Sequence, residues 1–327
     1  MLKPKVFVTR RILDAGLELL RQNYSLEVWP HQTPPPYELL REKVKQVDGL
    51  LCLLTDRIDS SLIQEASSLK VISQMAVGYD NIDIVAATAR SIPVGHTPGI
   101  LTDATADFTW ALLMAAARRV VEADSFVRAG KWLTWEPTLL LGADIAGATL
   151  GIVGFGRIGR AVARRAKGFD MRILYCSRQR RDSEVERSTG AEYTDLDVLL
   201  RESDFVTIHA ALSEETYHLF GDRQFQLMKS GAILINAARG SIVDEDALYR
   251  ALINREIAAA ALDVTEPEPI KSDSPLLKLD NVIIAPHIGS ASYRTRSKMA
   301  ELAAQNLLAG LQGSPLPHCV NPEVYSS

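Results

Sequence analysis

The stretch from Thr149 to Arg181 constrains the fold of this chain more than any other. An apolar run, Thr149 to Val153, reads as a buried strand and leads directly into Gly154-Phe155-Gly156-Arg157-Ile158-Gly159. Ala161, Val162 and Ala166 then recur at helical spacing, and a second apolar run covers Met171 to Cys176. Strand, glycine turn, helix and strand within about thirty residues is the context in which G-x-G-x-x-G holds a dinucleotide. Gly154 permits the tight turn, Gly156 lets a pyrophosphate approach the backbone, and Gly159 lets helix and strand pack closely. The first helical turn, with Arg157 and Ile158, offers free N–H groups and a positive dipole end to the phosphates.

The end of the second strand indicates which dinucleotide. An NAD site usually carries an Asp or Glu about 20 residues beyond the glycines, bonded to the ribose 2′-hydroxyl. Here the strand ends Tyr175-Cys176-Ser177-Arg178-Gln179-Arg180-Arg181, and no acid appears before Asp182. The carboxylate that would repel a 2′-phosphate is missing, and guanidinium forks stand in its place. Ser177 leaves room for a phosphate, Arg178 and Arg180 can flank it, and Arg181, one step on, is expected to be solvated. NADP(H) is expected in preference to NAD(H).

Composition removes other classes. At 327 residues, with 47% hydrophobic and 23% charged, the chain can bury two sizeable cores. A formal charge of −4 gives no footing for nucleic acid as a partner. The three cysteines, Cys52, Cys176 and Cys319, have no metal-like spacing, so no metal site is expected and a reducing compartment is. The N-terminal MLKPKVFVTRR turns polar after a short strand-like run. It offers neither a signal-peptide core nor a membrane span, and a cytoplasmic protein without a membrane partner is expected.

Strands are expected at Lys5 to Thr9, Leu26 to Trp29, Gly49 to Leu54, Val71 to Ala76 and around Val94, with helices at Arg11 to Asn23 and near Ser60 to Ser67. This alternation predicts a parallel sheet covered on both faces, without a phosphate-binding glycine pattern of its own. After Pro98-Gly99 one long helix is expected from Asp103 to Ala129, closed by Gly130, its first half apolar nearly all round. A loop with Trp132 and Trp135 follows. Further strands are expected at Phe205 to His209, Ala232 to Asn236, Ala259 to Asp263 and Val282 to Ala285. The last helix, Thr295 to Leu311, has too few strands around it to stand alone and is expected to cross back onto the N-terminal domain. The fold expected is α/β, with two Rossmann-like, doubly wound parallel-sheet domains. Residues 1–98 and 288–327 form the substrate-binding domain, and 99–287 the dinucleotide-binding domain.

Three side chains at or just beyond strand ends could carry chemistry: Arg239 after AILINAA, Glu268 in DVTEPEP, and His287 after VIIAP. Ligands of an open parallel sheet lie beyond the carboxyl ends of its strands. Carbonyl reduction needs a proton for the oxygen as hydride reaches the carbon. His287 can supply it near neutral pH, with Glu268 holding the imidazole oriented and charged. Arg239 can clamp a carboxylate or polarise the carbonyl. Taken singly, each also reads as a surface histidine, a rigid proline turn or a helix-capping arginine. Their common position behind one dinucleotide fold makes the set more specific.

Six motifs in order then resemble the D-2-hydroxyacid dehydrogenase family from end to end, most closely its glyoxylate/hydroxypyruvate reductase branch. They are MAVGYDNID from Met75, TPGILTDATAD from Thr97, GFGRIG from Gly154, NAARGSIVDE from Asn236, ALDVTEPEP from Ala261 and PHIGSA from Pro286. The resemblance implies Arg239, Glu268 and His287 as the catalytic set. It implies that the N–H groups of Val77 and Gly78 bind the substrate carboxylate and that Leu54 lines the pocket. It sets Thr105, Ala237, Ala238, Asp263, His287 and Gly289 against the cofactor. It further implies a homodimer through the long helix, with Trp135 reaching the partner's active site. The chain departs from the family at Ala211-Leu212-Ser213, where a Pro-Leu-Thr turn is usual.

The activity implied is reduction of glyoxylate to glycolate and hydroxypyruvate to D-glycerate. A phosphite dehydrogenase would place a Lys near Val77, and a formate dehydrogenase a Gln at the position of Glu268. Phosphoglycerate dehydrogenases often add a C-terminal regulatory extension and an acidic second strand, both lacking here. A dinucleotide-sensing corepressor of the same fold is the alternative outside enzymes.

Overall fold

The computed structural model describes residues 3–326. Its contacts divide the chain into two units, one running to Leu101 and resuming at Ala291, the other spanning Thr102–Ser290. These borders lie three residues beyond the expected ones. Ile100 and Leu101 pack into the first unit's core, and Gly289 is hydrogen-bonded to Asp263 of the second.

The first unit holds strands β1 (Lys5–Val8), β2 (Ser25–Val28), β3 (Gly49–Cys52), β4 (Val71–Gln74) and β5 (Val94–Gly95). They pair in the order β2-β1-β3-β4-β5, all parallel. β3 and β4 are buried along their whole length, as apolar runs covered on both faces must be. One cover is the last helix, Tyr293–Leu311. Its Met299, Ala300, Ala303, Ala304 and Leu307 share a core with Leu17, Leu20, Leu51 and Val71. Ser73 Oγ donates to the Ala303 carbonyl at 2.8 Å, so a buried polar side chain locks helix to sheet. Beyond this helix the tail covers the β5 edge. Cys319 pairs antiparallel with Gly95, and Asn321 Oδ1 accepts from Val94 N at 2.8 Å.

The second unit holds β6 (Thr149–Val153), β7 (Arg172–Cys176), β8 (Ala191–Tyr193), β9 (Phe205–Ile208), β10 (Ile233–Asn236), β11 (Ala259–Leu262) and β12 (Val282–Ile284). Their order is β12-β11-β10-β9-β6-β7-β8, a Rossmann arrangement that reverses direction between β6 and β9. That reversal is the switch point at which such sheets bind ligands. Helices Thr102–Ala117 and Arg157–Ala166 cover one face, with Trp110, Leu113, Val162 and Ala166 against Ile152 and Tyr175. Helices Leu196–Glu202, Asp222–Leu227 and Glu245–Ile253 cover the other, with Leu199, Phe225 and Leu248 against Val206 and Leu234.

The single long helix expected here is two: Thr102–Ala117 and Val120–Arg128. The Ala117 carbonyl, which would accept from the next turn of a continuous helix, accepts instead from Ala143 N at 2.8 Å. Arg119 then adopts a left-handed φ of 51° and redirects the chain. No helix among the described residues is long and apolar enough to cross a membrane.

Candidate active site

At the end of β6 the glycine turn has the geometry its sequence requires. Gly154 has φ +94°, and a Cβ there would lie 2.4 Å from Ala210 N. A Cβ on Gly159 would lie 2.3 Å from the Gly154 carbonyl, whereas at Gly156 it would meet nothing within 4 Å. Two glycines close the packing and the middle one keeps a space open. The helix that follows has no side-chain cap and no acid in its first turn. No protein group among the described residues accepts from the Arg157 or Ile158 N–H. His209, which follows β9 beside Gly154, has both ring nitrogens buried and without a hydrogen-bond partner among the described residues. Burial pulls its pKa down to about 3, so it is neutral. An open cradle, unpaired N–H groups and an unsatisfied imidazole at the switch point fit a dinucleotide pyrophosphate.

The turn after β7 differs from expectation in which arginines are engaged. Arg180, expected to flank the phosphate, is exposed and ion-paired. Its Nε and Nη2 form a fork with Glu186 at 2.8 and 2.9 Å. This pairing, with the Tyr175 hydroxyl as a further donor, holds the Glu186 carboxyl down at about 2. Arg181, expected to be solvated, turns Nε back onto the Phe155 carbonyl of the glycine turn at 3.1 Å, and its N–H donates to the Tyr175 hydroxyl. Arg178 is exposed. Ser177 Oγ donates to the Gln179 carbonyl at 2.5 Å, closing the turn.

Three strand ends carry the titratable set. Asn236, buried at the end of β10, accepts from Ala238 N at 3.0 Å and donates to the Arg239 carbonyl at 2.9 Å. The turn 237–239 is thereby fixed, and Arg239 Nη1 donates to the Ala238 carbonyl at 2.8 Å. At Gly240 the chain passes so close to the segment after β11 that a Cβ would lie 2.0 Å from the Thr265 carbonyl oxygen. Only glycine fits there. Asp263, 2% exposed, accepts from Ile288 N and Gly289 N, each at 2.7 Å. Burial pushes its carboxyl up, against those two bonds, which favour the charge. Its carbonyl accepts from His287 N at 2.9 Å. His287 is thereby held at φ +54°, an uncommon conformation for a side chain of its size. From that position its Nδ1 meets Glu268 Oε1 at 2.5 Å. Thr105, 6% exposed, faces the Gly289 backbone, where a Cβ would meet its methyl at 3.4 Å.

A second histidine–carboxylate pair underlies the first, and sequence reading passed over it. Glu266 takes His218 Nε2 at 2.7 Å and the Ser241 hydroxyl at 2.6 Å, while its own N–H donates to Glu245 at 2.7 Å. Three loops are tied at one carboxylate, two residues from Glu268. The only sequence signal was the repeated acid in TEPEP. The departing loop at Ala211-Leu212-Ser213 is closed by Thr216, whose hydroxyl donates to the Ala211 carbonyl at 2.8 Å and accepts from Ser213 N at 2.8 Å.

In the first unit, the loop after β4 binds its carbonyls and leaves its donors open. The carbonyls of Ala76, Val77 and Gly78 accept from Thr97 N, His96 Nδ1 and Gln74 Nε2 at 2.8, 3.0 and 3.3 Å. The N–H groups of Val77 and Gly78 have no acceptor among the described residues. Half-buried, unpaired N–H groups of this kind suit an anion. Leu54 lines a cavity of about 400 Å³ in the same unit, with Arg57, Asn81 and several aspartates. Trp135 is 78% exposed. The helix Val120–Arg128 has no buried residue, and Val120, Val121, Val127, Trp132, Leu133 and Leu141 are exposed around it.

A Rossmann-ordered sheet, an open glycine cradle at its switch point and a histidine–carboxylate pair at the same strand ends define a dinucleotide-dependent oxidoreductase. Residues 110–289 match the model of the D-isomer specific 2-hydroxyacid dehydrogenase NAD-binding domain. The chain is 55% identical to a glyoxylate reductase of Korarchaeum cryptofilum, over 99% of this chain and 97% of that one. A crystal structure of a Thermus thermophilus protein superposes with a TM-score of 0.91 at 44% identity, covering 97% and 99% of the two chains. A Sinorhizobium meliloti NADPH-dependent glyoxylate/hydroxypyruvate reductase, solved with NADP and malonate, gives 0.87 at 31% identity, covering 98% and 97%. The chain belongs to the D-2-hydroxyacid dehydrogenase family, and its cofactor is a nicotinamide dinucleotide.

Proposed function

We propose that this chain is an NADPH-dependent reductase of small 2-keto acids, converting glyoxylate to glycolate and hydroxypyruvate to D-glycerate. The observation that carries the reading is the 2.5 Å bond between His287 Nδ1 and Glu268 Oε1 at the strand ends of a dinucleotide-binding sheet. A nicotinamide cofactor held there would supply the hydride for the keto carbon. The oxygen then gathers negative charge and needs a proton. Because His287 donates through Nδ1 to Glu268, its Nε2 is the atom assigned to deliver that proton. The bond to Glu268 holds the ring oriented for that transfer. Arg239 is assigned to the developing oxyanion and the substrate carboxylate, for which a fixed, forked charge is suited. The Val77 and Gly78 N–H groups are assigned to the carboxylate as well, and Leu54 to the pocket wall.

The glycine turn with Arg157 and Ile158 is assigned to the pyrophosphate, and Thr105, Ala237, Ala238, Asp263, His287 and Gly289 to the cofactor. Ser177, Arg178 and Arg180 are assigned to the 2′-phosphate. The Korarchaeum relative, a glyoxylate reductase, supports the substrate, and the NADPH-dependent Sinorhizobium glyoxylate/hydroxypyruvate reductase supports both substrate and cofactor. The exposed apolar face around Val120–Arg128 supports a homodimer in which Trp135 reaches the partner's site. A cytoplasmic location is part of the same proposal. His287→Ala tests the chemistry. It is expected to lower kcat by about 10²–10⁴-fold, as loss of a general acid does, with NADPH binding retained. Near-wild-type turnover of the variant would sink the proposal.

A further inference from the structure

The loop after β4 owes its open donors to side chains behind it, and one of these is a histidine. His96 Nδ1 lies 3.0 Å from the Val77 carbonyl. That carbonyl can only accept, so Nδ1 carries the proton. The carbonyl of Val77 and the N–H of Gly78 belong to one planar peptide unit, so a bond to one end fixes the direction of the other. It also polarises the unit, strengthening the N–H as a donor by roughly 10–30% in condensed-phase estimates.

His96 is itself held on its backbone. Its N–H donates to the His318 carbonyl at 3.2 Å, and its carbonyl accepts from Asn306 Nδ2 at 3.0 Å. Tyr79 packs edge-on against its ring at 5.7 Å. Asn306 is fully buried on the last helix, so the ring is anchored to the frame of the unit. The next peptide is fixed likewise. Gln74 Nε2 donates to the Gly78 carbonyl at 3.3 Å and to Asn81 Oδ1 at 2.6 Å.

We propose that His96 is a positioning residue for substrate recognition, aiming and polarising the Val77–Gly78 peptide so that its N–H receives the substrate carboxylate. The inference rests on the assignment of Val77 and Gly78 to that carboxylate. It concerns binding of the anion, not the chemical step. Removing the Nδ1 donor therefore raises KM and leaves kcat nearly unmoved.

The test compares wild type, His96→Leu and His96→Asn, with glyoxylate as substrate and glycolate and its neutral amide, glycolamide, as inhibitors. His96→Leu is expected to raise KM for glyoxylate and Ki for glycolate about tenfold, equivalent to about 1.4 kcal/mol. The kcat should stay near wild type, and Ki for glycolamide should not change. His96→Asn, whose amide N–H₂ can donate where Nδ1 does, is expected to restore most of the loss. NADPH affinity, measured by nucleotide fluorescence, reports that the variants are folded. Should the leucine variant not fold, His96→Met serves as the donorless partner. An unchanged KM, or an equal loss for glycolate and glycolamide, overturns the proposal and leaves the carboxylate assignment standing. Equal affinity of the wild type for glycolate and glycolamide overturns the carboxylate assignment itself, and this inference with it.

Discussion

Adding one methyl group at Gly240 tests whether the packing of two loops sets the geometry of the active site. A Cβ there would lie 2.0 Å from the Thr265 carbonyl oxygen, 2.1 Å from its carbon and 2.8 Å from Glu266 N. Ordinary contact between heavy atoms lies near 3.5 Å, so the two segments must part by roughly 1.5 Å. Every atom the methyl meets is backbone, and no side chain can rotate aside. Overpacking of this kind costs about 1–3 kcal/mol. At about 2–4 °C per kcal/mol for a domain of this size, Gly240→Ala should lower Tm by roughly 2–12 °C.

The kinetic effect should exceed the loss of stability. Parting the segments moves Arg239 on one side away from Glu266 and Glu268 on the other, and breaks the 2.6 Å bond from Ser241 to Glu266. A displacement of about 1 Å at a reacting centre can cost on the order of 10²-fold in rate. Steady-state reduction of glyoxylate, with thermal unfolding in parallel, reads both effects. Gly168→Ala is the control, because a Cβ there meets nothing within 4 Å. A variant at position 240 that melts early but retains wild-type kcat would refute the positional argument. One that changes neither would refute the contact as well.

Further outcomes are expected. Ser177→Asp with Arg178→Ala should reverse cofactor preference, whereas Arg180→Ala alone should weaken NADPH less than Arg178→Ala, since Arg180 is engaged by Glu186; the kcat/KM ratios for NADPH and NADH decide. Light scattering at micromolar concentration should give a dimer of the 35.9 kDa chain, and Trp135→Ala should raise KM; a monomer would contradict the apolar face as an interface.

The fold was legible where burial is symmetric. β3, β4, β9 and β10 are short apolar runs buried on both faces, and each was read within a residue or two of its ends. The return of the last helix was legible too, because an apolar helix without strands of its own must borrow a core. Distant partners were not. Nothing near Arg119 marks a helix break, since the Ala117 carbonyl is taken by Ala143 from beyond the following helix and loop. β8 was missed because it is three residues long with Glu192 and Tyr193 exposed. In the site, His287, Glu268 and Arg239 stood out through motif and strand end. What holds them did not, because Asp263 on two N–H groups, Gly240 against Thr265 and Glu266 between His218 and Ser241 are contacts made only by folding. Arg180 was read as a phosphate contact and Arg181 as solvated, because their partners, Glu186 on the following helix and the Phe155 carbonyl, are met only on folding.

The most direct test of the account is the rate of nicotinamide oxidation by the purified chain with glyoxylate, measured separately with NADPH and NADH under identical conditions. The expected result is saturable turnover with kcat/KM for NADPH at least about tenfold above that for NADH, the preference left after solvent screens the charged contacts to the 2′-phosphate. Absence of turnover with either nucleotide would contradict the assignment as a keto-acid reductase, and equal use of both would contradict the reading of Ser177, Arg178 and Arg180 as a phosphate site.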